Sequence, residues 1–251
     1  MRNKLILIAV FLTIALIFTT RAGSNRSEII PTENIAALVP EAETAKETGE
    51  ESTEQLYKMF SMNNATMPSL VSFTNGITGY NKLVAEGKIE NEILTIVDFT
   101  LPSTEKRMWI LDMKDHKVLF NSLVAHGKNT GLDMATDFSN TESSFQSSLG
   151  FYVTAETYYG KNGLSLFIDG QEEGFNSNAR QRYVVVHGAD YATPAFMKKN
   201  GRLGRSLGCP AVPTEISKEV INTIKGKSAL FIYHTNEEYA KKSTYLNPAT
   251  V

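Results

Sequence analysis

Cys209 is the only cysteine in 251 residues, and it stands in the glycine-rich stretch GRLGRSLGCPAVP, residues 201–213. A thiol of ordinary pKa (~8.5) is only a few per cent thiolate at neutral pH. A nucleophilic cysteine therefore needs a histidine, a helix N-terminus or another cation beside it. The chain offers His116, His126, His187 and His234. His187 has the most informative setting: it closes the predicted strand RYVVV and is followed at once by Gly188. A side chain at a strand's end, ahead of a flexible residue, projects into a cleft from a rigid base. His116 falls in a predicted turn and His126 precedes Gly127-Lys128-Asn129. Both read as solvated, with a cleft-facing His126 as the alternative. His234 ends the last predicted strand and is a second candidate.

The residues around the thiol suggest how it would be used. Gly208 permits close backbone approach and an unusual turn. The amides of Gly208 and Cys209 can face a developing oxyanion. Pro210 has no N–H, which excludes the residue after the thiol from that role, and it biases Cys209 toward an extended backbone. Arg202 and Arg205 lie just upstream. They read either as donors to a substrate carboxylate or as surface arginines on a loop. Ser206 and Gly188 are grouped with the substrate groove. Ser206 is also placed to bond the loop that presents Cys209, and is not read as a nucleophile. Asp190 and Tyr191 would orient the imidazole or line the groove, against the alternative of a polar loop.

These residues need elements to position them. MWILDM (108–113) and KVLFNSLVA (117–125) flank Lys114-Asp115-His116 and predict a hairpin. GFYVTAETY, LSLFIDG and RYVVVHG follow as short β-rich segments separated by Gly, Asn or Ser clusters. Leu70, Phe73, Ile77, Tyr80, Leu83 and Val84 fall at helical spacing, with Ser69 suited to the start and Gly87 to the C-cap. A second helix is predicted over 214–225, and SALFIYH (228–234) reads as a last strand. The expected fold is mainly β, a sandwich or barrel with a few flanking helices.

The N-terminus carries Arg2 and Lys4 ahead of an apolar run, Leu5 to Phe18, broken only by Thr13. A spanning helix needs ~20 apolar residues, so this run reads as an export signal over 1–22. An uncleaved signal anchor is the alternative. Residues 23–66 read as an acidic flexible linker, with EAETAKETGEESTEQ (41–55) holding six Glu and no aromatic residue. An acidic solvated helix is the other reading of that stretch. Residues 67–236 form the expected catalytic domain with its N-terminal helix, and 237–251 a tail without a readable signal. One cysteine cannot make an internal disulfide, and in an exported chain it marks a free reactive thiol or an intermolecular link. The net charge of -2, with no basic block, gives nucleic-acid binding no support.

His187-Gly188, a glycine-rich stretch, then Ser206-Leu207-Gly208-Cys209 resembles the signature of the L,D-transpeptidase family of cell-wall enzymes. The stretches LPSTEKRMWILDMKDHKVLFNSLVAHGKNTG and SSLGFYVTAETYYGKNGLSLFIDG resemble the exported murein branch of that family. The resemblance covers roughly residues 68–236. It implies that Cys209 attacks a peptidoglycan stem tetrapeptide, with His187 taking the thiol proton and Gly208 shaping the site. A thioester acyl-enzyme would form, and an acceptor amine would resolve it into a 3→3 crosslink. Water as acceptor would give an L,D-carboxypeptidase. The resemblance implies no cofactor and no metal. An uncleaved signal would tether the enzyme near the membrane, and a monomer in the periplasm or cell envelope is expected. Two positions depart from the family pattern: Leu207 stands where many members carry histidine, and Ala211 where many carry arginine or asparagine. Arg202 or Arg205 would have to compensate for the second.

Three other readings remain at this stage. A sortase-like transpeptidase also orders His before Cys on a β-barrel, but no arginine follows Cys209. A zinc peptidase using His187, Asp190 and another histidine has suitable ligand types without a recognisable spacing. A non-catalytic cell-wall-binding β domain would carry Cys209 as an inert thiol.

Overall fold

The computed structural model describes residues 53–62 and 65–247. The expected export signal over 1–22, and the acidic stretch as far as residue 52, lie outside the described residues. In chain order the elements are a helix α1 over 53–61, α2 Leu70–Ala85, β1 Ile93–Asp98, β2 Met108–Asp112 and β3 Lys117–Ser122. Then come β4 Gly150–Gly160, β5 Gly163–Gly170, β6 Val185–Ala189, a 3-10 turn at Asp190–Ala192 and α3 Pro194–Asn200. The chain ends with β7 Ala211–Pro213, α4 Thr214–Ile224, β8 Ala229–Tyr233 and α5 Glu237–Lys242.

Among the described residues, eight strands join one sheet in the order β3-β2-β1-β8-β4-β5-β6-β7. Its two outer strands are tied together. Three residues beyond β3, Ala125 forms an antiparallel bridge with Ala211 of β7, so the sheet nearly closes into a barrel. Closure removes the open edges that a flat sheet would leave. Strands β1 and β8 are buried along their whole length, and Phe151 of β4 stacks on Phe231 of β8 at 4.1 Å. The mainly β fold expected from the sequence is the one observed. The hairpin lies where predicted, with His116 at the turn in the left-handed region (φ 51°). Ser69 caps α2, its Oγ accepting the Ser72 N–H at 3.2 Å.

Three expectations change. His187 does not end its strand: β6 starts at Val185 and runs through His187 to Ala189, extended by parallel pairing with β7. The stretch assigned to a flexible linker ends in α1, whose Phe60 is fully buried against Phe73 and His116. Tyr57 donates its hydroxyl to Pro68 O at 2.8 Å, and Trp109 Nε1 donates to Thr66 O at 2.9 Å. Leu56 and Tyr57 pack against the same core as Phe60, so the helix docks through one apolar face. The expected tail also folds back. Tyr239 and Tyr245 are buried, and the Tyr239 hydroxyl donates to Glu172 Oε2 at 2.8 Å. The same buried carboxylate oxygen accepts the Phe151 N–H at 2.8 Å, so α5 is pinned to the core strand β4. Neither docking has a local signature, because each depends on partners far along the chain.

Phe60→Ala should cost about 3–5 kcal/mol, the range for truncating a fully buried phenylalanine. Equilibrium denaturant unfolding measures it. A change within about 0.5 kcal/mol, typical of a surface site, would return this segment to the linker.

Candidate active site

The parallel pairing of β6 with β7 sets His187 opposite Ala211, two residues beyond Cys209. The thiol therefore sits just ahead of a strand that is bonded on both sides, and the imidazole belongs to the neighbouring strand. His187 is buried. Its Nδ1 lies 2.9 Å from Gly188 O, and because a carbonyl only accepts, Nδ1 carries the proton. Nε2 is left with a free lone pair, the form a general base requires. Burial pushes the imidazole below its ordinary pKa, with the Gly188 bond pulling the other way. The ring is neutral at pH 7.

Cys209 is half-buried. Its Sγ lies 3.5 Å from Tyr183 O, to which the thiol donates, and accepts the Val185 N–H at 3.5 Å. Burial pushes the thiol up, against the Val185 N–H and the charge of Arg182, which favour the thiolate. Burial thus favours the neutral form of both the thiol and the imidazole. Among the described residues, the sulfur's hydrogen-bond partners are Tyr183 and Val185, not His187.

Gly208 has φ +128°, a backbone that side chains rarely adopt, and a Cβ there would lie 2.9 Å from Gln146 O. Its amide donates to Ser206 Oγ at 3.0 Å, and its carbonyl accepts Ser147 Oγ–H at 3.1 Å. The Gly208 amide is therefore spent, which corrects its expected place in an oxyanion hole. The Cys209 N–H has no protein partner among the described residues and is the donor left for that task. Ser206 Oγ in turn donates to Cys209 O at 2.7 Å. Its work is to close the turn from 206 to 209, rather than to bind substrate.

The remaining expectations separate in the same way. Arg202 donates to the neighbouring Leu203 O at 2.7 Å, and Arg205 to Lys128 O and Gly131 O at 2.8 and 3.0 Å. Both are committed to backbone carbonyls, and neither reaches the sulfur. Gly188 lets β6 press on α4, since a Cβ there would lie 2.6 Å from Ser217 Oγ. Asp190 Oδ1 accepts the Thr214 hydroxyl at 2.7 Å and does not orient the imidazole. Tyr191 stands near enough to Cys209 to feel its charge, and burial above all pushes its phenol to about 12. His126, expected in solvent, is 1% exposed. Its surroundings come from tertiary pairing of its segment with β7, which its sequence neighbours do not reveal. His116 packs on Phe60, and His234 on Phe138 at 4.9 Å. Among the described residues no three His, Cys, Asp or Glu side chains gather as a metal site.

Arg182 was missed. It lies in the predicted strand RYVVV but ahead of β6. Nη1 donates to Ser139 O at 2.7 Å and Ser148 Oγ at 2.6 Å; Nη2 donates to Ser144 Oγ at 3.1 Å and Gln146 O at 2.7 Å. These bonds hold the segment 139–148 by Arg182 and place a cation close enough to Cys209 to favour its thiolate. Its position directly before Tyr183-Val184 gave one usable hint: a charge at the head of an apolar strand faces out of the core. Tyr183, 69% exposed, and Leu207, 62% exposed, are large apolar residues within two positions or one bond of the thiol.

The family model described as the L,D-transpeptidase catalytic domain matches residues 63–233. The chain belongs to the L,D-transpeptidase family. No curated protein matches it. Among solved structures it is similar to an L,D-transpeptidase from Mycobacterium smegmatis, at 13% identity and a TM-score of 0.36, covering 57% of this chain and 59% of that one. It is also similar to a mutant L,D-transpeptidase from Enterococcus faecium, at 18% identity and a TM-score of 0.33, covering 58% and 50%. An L,D-transpeptidase from Xylanimonas cellulosilytica matches at 10% identity and a TM-score of 0.33, covering 74% and 93%. The chain thus spans less than two thirds of the first two.

The electrostatics make a testable statement. Capture of Cys209 by iodoacetamide should rise steadily with pH, without the neutral plateau of a preformed thiolate–imidazolium pair. Arg182→Gln removes a charge that favours the thiolate, so the thiol moves further up. Each unit of that shift slows capture at pH 7 about tenfold. Alkylation rates followed by mass spectrometry across pH give both results.

Proposed function

We propose that this chain is a cysteine-dependent acyltransferase that acts on peptidoglycan stem peptides outside the cytoplasm and joins them by 3→3 crosslinks. The observation that carries the reading is the pairing of β6 with β7, which sets a buried imidazole with a free Nε2 opposite Ala211, two residues beyond the half-buried Cys209.

In this mechanism the Cys209 side chain turns from Tyr183 O toward His187. Nε2 takes the thiol proton as sulfur attacks the carbonyl between the third residue and the terminal D-residue. The oxyanion meets the Cys209 N–H. As the tetrahedral centre collapses, the C–N bond breaks, and the imidazolium returns its proton to the leaving amine. The thioester keeps the energy of the cleaved amide, so no nucleotide is consumed. An amine from a neighbouring stem then attacks, gives its proton to Nε2 and restores the thiol. Export through a signal over residues 1–22 and action as a monomer belong to this same reading, and a signal left uncleaved would tether the enzyme near the membrane.

The test mixes the protein with disaccharide-tetrapeptide and follows the products by mass spectrometry. Wild type should lose D-alanine, carry an acyl adduct on Cys209 and yield dimers. Cys209→Ala should do none of these. His187→Gln should fall by about 10²–10⁴-fold, the range for losing a general base. Tripeptide without dimers would assign water as the acceptor, making the chain an L,D-carboxypeptidase. A folded wild type with neither turnover nor adduct would leave a cell-wall-binding β domain.

A further inference from the structure

One guanidinium sits inside the barrel with no carboxylate in contact. Arg107, next to β2, is fully buried. Its Nε and Nη2 both donate to Val124 O, at 3.1 and 3.0 Å, and Nη1 donates to Leu101 O at 2.8 Å. Nη2 also lies 2.8 Å from His126 Nδ1, and the guanidinium lies 4.8 Å from the centre of the Phe99 ring. Asp98 and Asp133 act on it only through space, each bonding elsewhere, to Thr100 and Ser103. A guanidinium only donates, so His126 Nδ1 is the acceptor and its Nε2–H points to Gly131 O at 3.4 Å. Burial, with the Arg107 charge second, lowers His126 to about 4, and the ring stays neutral. An isolated buried charge is costly, so its bonds must hold something the fold needs.

What they hold are the two walls of the nucleophile loop. On one side, Arg107 grips the segment 124–127. There Ala125 N–H donates to Ala211 O at 2.8 Å, Ala211 N–H to Ala125 O at 3.3 Å, and Ser206 N–H to His126 O at 2.9 Å. Gly127 closes the contact, since a Cβ on it would lie 3.0 Å from Gly208 Cα. On the other side, Arg107 grips Leu101. Two residues on, Ser103 Oγ accepts the Leu203 N–H at 3.1 Å while donating to Asp133 Oδ1 at 2.6 Å. One cation thus reaches both ends of the loop that carries Cys209.

We propose that Arg107 and His126 form a buried clamp that positions the nucleophile loop, from Leu203 to Ala211, by holding both of its walls. The inference rests on Cys209 being the reacting thiol. Both are positioning residues, and neither touches the sulfur.

The test compares full-length wild type with Arg107→Lys, His126→Leu, His126→Asn and Ser103→Ala. Melting temperature, iodoacetamide capture of Cys209, and kcat and KM for D-alanine release are measured on each. A loosened loop exposes the thiol but misplaces it. Capture per folded molecule should then rise about threefold while kcat falls about tenfold or more and KM stays within about twofold, since small misplacements act on the chemical step. Arg107→Lys, His126→Leu and Ser103→Ala should show this divergence. His126→Asn, which keeps an acceptor and a donor, should recover most of it. Wild-type capture and kcat in His126→Leu and Ser103→Ala, whatever their melting temperatures, would overturn the clamp, and this pair decides the matter if Arg107→Lys does not fold. Capture needs no peptidoglycan, so a wild type without turnover would sink the proposed function while capture alone still judged the clamp.

Discussion

Strand β7 is three residues long, yet it is hydrogen-bonded on both flanks, to β6 through the pairing of His187 with Ala211 and to the chain beyond β3 through Ala125. That double bonding is what closes the sheet. It is also what gives a surface loop a rigid end. Cys209 stands two residues before the pairing begins, so its main chain is held by a strand bonded on both sides. Pro210, which cannot donate, fits between the turn and the strand without leaving an orphaned amide.

Burial governs the chemistry of the pair. It raises the thiol and lowers the imidazole, and so disfavours the charged form of each. The site rests in its neutral state, with the sulfur turned to a carbonyl. A reaction on such a pair draws its proton transfer into the chemical step instead of storing a thiolate beforehand. The tautomer of His187 is settled by one backbone carbonyl, Gly188 O, while the Asp190 carboxylate is taken by Thr214. A neutral partner orients the ring without adding a negative charge beside the thiol.

Arginine serves this molecule as scaffold. Arg182 spends four donor bonds on the segment 139–148, and Arg107 spends its own on two loop walls. Of the two arginines nearer to Cys209 in sequence, Arg202 bonds its neighbour Leu203 O, and Arg205 ties its segment to the carbonyls of Lys128 and Gly131. A planar fork with fixed donors suits carbonyls that diverge from two loops, because one group can satisfy several of them at once.

Much of the site was legible because its signals are local. A lone thiol between Gly208 and Pro210, and a histidine following β-branched residues, mark themselves by type and spacing, and so do the hairpin turn at His116 and the capped helix from Ser69. Where these residues went next depended on partners remote in sequence. The strand extends past His187 because β7 pairs with it. Phe60 and Tyr239 are core residues because distant surfaces cover them. Arg182 and Arg107 matter because carbonyls from other loops converge on them. Periodicity and turn chemistry act over a few residues and can be read from the sequence alone. Burial, pKa direction and the choice of which arginine stands near the sulfur arise only when the closed sheet brings the chain's far segments together.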